Sequence, residues 1–220
     1  MRKGTASVFL MVVLAACLSF GSDRLDIKEH FLENGMKVLL LEDHSAPLVA
    51  VQVWVHVGAK DDPAGMSGVA HLIEHMMFKG TSKMQPEEFS EIVQRHGGTE
   101  NAGTGRDFTN YFAYVASSRA EEAVSLWANI MADAAFRPGE FLSERDVVVE
   151  ELRLGLNDPY EAVFNEVTAA AYHAHPYGRP IIGWMSDVQR ITREQAYDHY
   201  KAFYVPNNMS LVIAGDINED

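Results

Sequence analysis

Cysteine is almost absent from the sequence, since Cys17 is the only one among 220 residues. The chain after this position therefore holds no disulfide bond and no thiolate that could bind a metal or attack a substrate. Cysteine-based catalysis and disulfide-stabilised folds are both excluded for this part of the chain. Any metal site must be built from histidine and carboxylate side chains.

Basic residues and long apolar runs are scarce as well. The chain has 18 Lys and Arg against 31 Asp and Glu, which gives a formal net charge of -13. Binding to nucleic acid requires a surplus of positive charge on one face. The sequence contains no basic stripe, so we predict no nucleic-acid partner. After residue 21 no apolar run is long enough to cross a bilayer.

The N-terminus has the composition of an export signal. Arg2 and Lys3 form a positively charged start, and the apolar run from Ala6 to Ala16 is short for a membrane-spanning helix. We therefore predict a signal peptide over residues 1–21 and export across a bacterial membrane. The rest of the chain is then expected in the periplasm or on a membrane surface.

Two cleavage sites remain open for this signal peptide. The residues that end at Cys17 read Leu-Ala-Ala-Cys and resemble a lipobox, where cleavage would leave Cys17 acylated and the protein a membrane-anchored lipoprotein. The alternative is ordinary signal-peptidase cleavage after Gly21, where Ser19 and Gly21 are the small residues required. We favour the lipobox, in which case the lipid anchor is the only expected contact with a membrane.

Strand and helix patterns are interleaved over residues 22–220, without the strict βαβ repeat or the Gly-rich fingerprint of a dinucleotide fold. They predict an α+β domain with two layers. The runs Met36 to Leu41 and Leu48 to Val57, separated by a polar corner, predict two adjacent strands of a hairpin or meander. Further strands are predicted at residues 99–104, 108–116 and 209–214, and helices at residues 69–78, 86–96, 119–134, 141–155, 161–173 and 192–204.

A pair of histidines lies in the first predicted helix. His71 and His75 are four positions apart, so both imidazoles project from one helix face and can reach one metal ion. Glu74 flanks that face, near enough to take a proton from a water molecule without being a ligand. The arrangement is hydrolytic, although this pattern also arises by chance and helical histidines often only cap or pack. A zinc site needs a third protein ligand, which could be a carboxylate or another histidine.

The segments His71-Leu72-Ile73-Glu74-His75 and Val149-Glu150-Glu151-Leu152-Arg153 resemble the pitrilysin family of metallopeptidases, the inverzincins. That family includes insulin-degrading enzyme and mitochondrial processing peptidase. The resemblance runs through nearly the whole chain after the signal peptide. It implies a two-layer α+β fold with a mixed, largely antiparallel sheet packed with helices, as in the mitochondrial processing peptidase.

The resemblance also implies a zinc ligand set. The family's third ligand is a Glu about 76 residues after the second His, followed by Leu and Arg, and this position corresponds to Glu151. One Zn2+ ion is therefore expected between His71, His75 and Glu151, with Glu74 as the general base. Glu150 points about 100 degrees away on the same helix and is the weaker candidate.

A second acidic residue matches the family pattern on the same predicted helix. Glu144 precedes Glu151 by two helical turns and so shares its face. In the family this position orients a ligand imidazole, and we predict that role for Glu144. The alternative is a solvated carboxylate paired with a nearby Arg.

The segment Gly97-Gly98-Thr99-Glu100-Asn101-Ala102 resembles a family segment in which an edge strand pairs with the substrate backbone. The resemblance implies that Asn101 and Ala102 bind substrate, whereas the simpler interpretation is a glycine turn into a strand. Phe108 and Tyr111 are candidates to line the same cleft, although aromatic residues in strands more often lie in the core. We interpret residues 173–178, which contain His-Pro-Tyr-Gly, as structural.

These patterns predict a zinc-dependent endopeptidase that hydrolyses peptide bonds in peptides or unfolded segments. Family enzymes pair this domain with a second, similar domain or subunit that supplies an Arg and a Tyr, and neither can be assigned in this chain. The chain ends at Asp220 directly after a predicted strand, and we interpret residues 22–220 as one half of a larger enzyme. The alternatives are a non-catalytic assembly subunit and a zinc-binding domain that is inactive without its partner.

Overall fold

A six-stranded mixed sheet forms one of two layers in the computed structural model, which describes residues 25–218. The predicted signal peptide and Cys17 lie outside these residues. The strand order is β1-β2-β6-β3-β5-β4, and neighbouring strands are antiparallel except for the parallel pair β2 and β6. The predicted α+β class with a largely antiparallel sheet is therefore confirmed. The strands are β1 Lys28–Phe31, β2 Lys37–Glu42, β3 Leu48–Val55, β4 Thr99–Thr104, β5 Thr109–Ala116 and β6 Met209–Gly215.

The predicted pairing of the strands now numbered β2 and β3 is wrong. The last strand, β6, lies between them, with Lys37 of β2 opposite Ser210 and Val55 of β3 opposite Met209. Hydrophobic alternation identifies a strand but not its neighbour, because pairing depends on residues far away in the chain. β2 instead forms a hairpin with β1, which was not predicted because three of its four side chains are exposed and it lacks apolar alternation.

The described part of the chain contains seven helices, and those that pack against the sheet form the second layer. Helix α4 begins at Pro138 and α5 at Pro159, slightly earlier than predicted, because proline suits the first helical turn and lacks an N–H that would otherwise be unpaired. None of the seven combines the length and hydrophobicity that a bilayer-spanning helix needs. Their bounds are α1 Val69–Met76, α2 Glu88–Arg95, α3 Ala120–Asp133, α4 Pro138–Gly155, α5 Pro159–Ala171, α6 Met185–Val188 and α7 Arg193–Phe203.

The hydrophobic core lies between one face of the sheet and the helices. Alternate valines of β3 are buried on this face together with apolar residues of α1. Tyr111 of β5 is fully buried, and its hydroxyl lies 2.6 Å from that of Tyr204, so the core interpretation of Tyr111 is confirmed. Phe108 is 40% exposed and its ring packs 4.8 Å from that of Trp54, so it does not belong to this core.

Candidate active site

Helix α1 carries both predicted histidine ligands and begins after a glycine in the left-handed region. Gly68 has φ 90, and an added Cβ would lie 2.3 Å from the carbonyl oxygen of Ile182, so only glycine fits. The Gly68 and Ala70 amides donate to the two carboxylate oxygens of Asp62, at 2.7 and 3.1 Å. Burial raises the pKa of Asp62 to about 7, against the effect of these two hydrogen bonds. Asp62 thus caps the helix from a preceding loop, which the sequence analysis missed.

The structure brings His71, His75 and Glu151 together. Their ligand-type atoms all lie within 4.8 Å of one another, and the two imidazole rings are 4.8 Å apart between centroids. Oε2 of Glu151 lies 3.5 Å from Nε2 of His75 and 3.9 Å from Nε2 of His71. Donor atoms in a tetrahedral zinc site are separated by about 3.4 Å, given metal–ligand distances of about 2.1 Å. The three side chains therefore fit one metal ion.

Glu144 lies where it can hold one of these imidazoles. Its Oε2 is 3.2 Å from Nδ1 of His75, and its Oε1 is 3.1 Å from Nζ of Lys79. Burial tends to raise the pKa of Glu144, but the hydrogen bonds with His75 and Lys79 outweigh it and lower that pKa. Burial tends to lower the pKa of His75, but the Glu144 hydrogen bond and nearby carboxylates together outweigh it and raise that pKa. The ion-pair partner of Glu144 is thus a lysine on the segment after α1 rather than an arginine.

His71 is held differently from His75. Burial, with a smaller contribution from the neighbouring His75, lowers the pKa of His71 to about 3. Its Nδ1 is buried and has no hydrogen-bond partner among residues 25–218. Packing therefore fixes this ring, and the imidazole is neutral at physiological pH, which is the form that binds metals.

Glu74 lies beside the same cluster on α1. Its Oε2 accepts a hydrogen bond from the hydroxyl of Thr104, the last residue of β4. Burial raises the pKa of Glu74, while the hydrogen bond from Thr104 and the charge of His75 oppose the rise. Thr104 was not predicted as a site residue. Strand alternation is the only signal for it, since it puts Thr104 on the helix-facing side of β4 together with Ala102.

The segment predicted to bind substrate forms the edge strand β4. Asn101 and Ala102 project to opposite faces of the sheet, Asn101 being exposed and Ala102 packing against the core. The Ala102 amide donates to the side-chain oxygen of Asn101 at 2.8 Å. β4 is the last strand in the sheet order, so its outer edge has no partner strand within the described residues. The substrate-binding roles of both residues stay predictions.

Two other sequence candidates lie away from the cluster. Glu150 is exposed and pairs with Arg153 one helical turn later, so it does not join His71 and His75. His175 accepts a hydrogen bond from the Tyr177 amide at 3.2 Å and thereby caps a short turn. This contact agrees with the structural interpretation of residues 173–178.

Comparison with known proteins shows that the chain is similar in sequence and fold to proteins named as zinc proteases. Residues 37–184 match the profile described as Insulinase (Peptidase family M16), and residues 190–220 match that of the Peptidase M16 inactive domain. The zinc protease PqqE of Helicobacter pylori is 33% identical over 217 residues, covering 98% of this chain and 49% of that protein.

Comparison with solved structures also shows similarity to proteases. A protease from Helicobacter pylori superposes with a TM-score of 0.86 at 33% identity, covering 89% of this chain and 47% of that one. The periplasmic protease PqqL of Escherichia coli superposes with a TM-score of 0.80 at 25% identity, covering 88% of this chain and 22% of that one. The chain thus spans half or less of the length of these relatives.

Proposed function

The chain belongs to peptidase family M16, and on this basis we propose that residues 22–220 form the zinc-binding half of an endopeptidase. Its substrates would be peptides or unfolded segments. The observation that carries the proposal is the convergence of two imidazoles and one carboxylate within 4.8 Å of one another, beside the carboxylate of Glu74. Such a constellation is suited to hydrolysis by an activated water molecule.

We assign His71, His75 and Glu151 as the ligands of one Zn2+ ion. Two imidazole nitrogens and one carboxylate oxygen form a known donor set of catalytic zinc sites, in which a fourth position stays open. Zinc bound there would lower the pKa of a water molecule and polarise the scissile carbonyl. The Glu151 side chain is 41% exposed, so the cluster is accessible from solvent, as a substrate site requires.

We assign Glu74 as the general base. Its carboxylate takes a proton from the attacking water and then transfers it to the nitrogen of the leaving amine. Burial raises the pKa of Glu74 above that of an ordinary glutamate, which makes its carboxylate a stronger proton acceptor near neutral pH. Glu144 supports the reaction indirectly by holding Nδ1 of His75, so that Nε2 faces Glu151.

Removing the carboxylate charge at position 144 is expected to weaken zinc binding without unfolding the protein. In Glu144→Gln the amide can still contact His75, but the ion pair with Lys79 and the orienting charge are lost. Losses of this kind typically lower metal affinity by about 10- to 100-fold. A competition titration with a chromogenic chelator would measure the change. Asp146→Asn, an exposed carboxylate on the same helix, is the matched control, and equal affinities for both variants would contradict the role of Glu144.

We propose that substrate binds along the free edge of β4. An extended peptide gains main-chain hydrogen bonds when it adds to an exposed sheet edge. Asn101 and Ala102 lie in the middle of this strand. The Ala102 amide, which donates to the Asn101 side chain, would become available to a substrate carbonyl when that side chain turns away.

We further propose that the active enzyme contains a second domain of similar size, in the same chain or in a partner subunit. The support is that the chain spans 49% of the PqqE protein and 47% of the solved Helicobacter pylori protease. Export to the periplasm is proposed from the predicted signal peptide and from the similarity to the periplasmic protease PqqL. The lipid anchor at Cys17 stays a prediction from the sequence.

Metal removal tests the proposed function as a whole. A chelator is expected to abolish cleavage of a fluorogenic peptide by the full natural form of the protein, and stoichiometric Zn2+ is expected to restore it. Elemental analysis should give one zinc per chain before treatment. Cleavage at the original rate by metal-free protein would overturn the assignment. Zinc binding without cleavage in every natural form would instead favour the non-catalytic assembly subunit.

A further inference from the structure

The side chain of Thr104, the last residue of β4, forms a hydrogen bond with the proposed general base Glu74. Its hydroxyl donates to Oε2 of the Glu74 carboxylate. Because the side chains of a strand alternate between faces, Thr104 and Ala102 project towards the helix layer while Asn101 projects away from it. Thr104 therefore reaches α1 from the same strand that is proposed to bind substrate.

The end of β4 is held firmly enough to act as a fixed support for a side chain. Directly after Thr104, the Gly105 amide donates to the Phe108 carbonyl at 2.7 Å, which closes the turn into β5. The Gly105 carbonyl in turn accepts from the Ala59 amide at 3.0 Å. Opposite Thr104, the buried Thr109 donates its hydroxyl to the Val57 carbonyl at 3.0 Å. These contacts join the strand end to the loop that precedes α1.

A glutamate that acts as a general base needs a contact that holds its carboxylate in one orientation. Its side chain has three rotatable bonds and otherwise samples several rotamers, only some of which aim the carboxylate at the reacting water. A donor fixed on one carboxylate oxygen removes this freedom and leaves the other oxygen available to accept a proton. Holding reacting groups in position in this way is a recognised contribution to catalytic rate.

We propose that Thr104 is a positioning residue that holds the Glu74 carboxylate in the orientation required for proton transfer. This inference rests on the proposed function, because it takes Glu74 to be the general base. Under this proposal β4 has two roles in catalysis, because it would bind the substrate backbone and would also hold the general base Glu74. The side-chain hydroxyl is the group on which the proposal depends, because it is the donor that contacts Oε2 of Glu74.

Three variants of the zinc-loaded, full natural form of the protein test this proposal. Thr104→Val keeps the size and branching of threonine but removes the donor, and kcat is expected to fall by about 10-fold or more. KM and the zinc content should stay within about twofold, because the main chain of β4, which is proposed to bind the substrate, and the metal ligands are unchanged. Thr104→Ser retains the hydroxyl and should recover most of kcat. Thr104→Ala repeats the comparison with a smaller residue in case valine disturbs the strand.

The outcomes separate this inference from the proposed function. Equal kcat values for Thr104→Val, Thr104→Ala and the parent protein, with Glu74→Gln inactive, would overturn the role of Thr104 and leave the peptidase assignment intact. A serine variant as slow as valine would also overturn it, because the methyl group and not the hydroxyl would then matter. Full activity of Glu74→Gln would overturn the assignment of the base itself, and the inference with it.

Discussion

Replacing Glu74 by glutamine is expected to abolish most peptide cleavage while leaving zinc in place. Glutamine has nearly the same size and can still accept a hydrogen bond from Thr104, but its neutral amide cannot take a proton from water. Loss of a positioned general base typically costs about 10^2- to 10^4-fold in rate. We therefore expect kcat to fall by this factor and KM to change little, since Glu74 is not expected to bind the substrate backbone.

Elemental analysis and steady-state kinetics on a fluorogenic peptide would test this expectation together. Glu91→Gln is a suitable control, because Glu91 is an exposed glutamate on α2 with no place in the proposed site. The control should match the parent protein in both measurements. A Glu74→Gln variant that retains one zinc per chain and cleaves at the parental rate would remove Glu74 from the mechanism.

Replacing Glu151 by glutamine is expected to strip the metal from the protein. The variant loses the only carboxylate oxygen that lies within 4 Å of Nε2 in both His71 and His75 among the described residues. Loss of a residue that only supports a ligand already weakens metal binding by about 10- to 100-fold. Loss of the ligand itself should therefore weaken zinc binding more than this, and peptide cleavage should disappear with the metal.

The neighbouring residue provides a matched control for Glu151. Glu150→Gln makes the same chemical change one position earlier on α4, at an exposed residue that pairs with Arg153. We expect this variant to lose only the surface ion pair, which contributes little to stability, and to bind zinc as the parent protein does. Equal zinc affinities for the two variants would show that Glu151 is not a ligand. Zinc loss in Glu150→Gln but not in Glu151→Gln would show that Glu150, and not Glu151, is the metal ligand.

Local patterns in the sequence were sufficient for most of the elements, although not for β1 or α6, and they pointed to several residues of the candidate site. Helical spacing put His71 and His75 on one face of a helix, and that helix is present at Val69–Met76. The match to a known family pointed to Glu151 and Glu144, which lie at 3.5 and 3.2 Å from His75 nitrogens. The helix could be predicted because helical spacing depends on residues a few positions apart, and the two glutamates could be singled out because each lies in a short motif; their roles stay predictions.

Other features depend on contacts between distant parts of the chain, and only the tertiary structure decided them. The insertion of β6 between β2 and β3, the capping of α1 by Asp62 and the contact between Thr104 and Glu74 each join distant segments, and no local pattern in the sequence identifies the partner. The sequence by itself determined which residue types were available, which elements they form and which face each side chain takes. The folded chain decided which of those faces meet, because side-chain contacts between distant segments arise only when the sheet and helices have packed together.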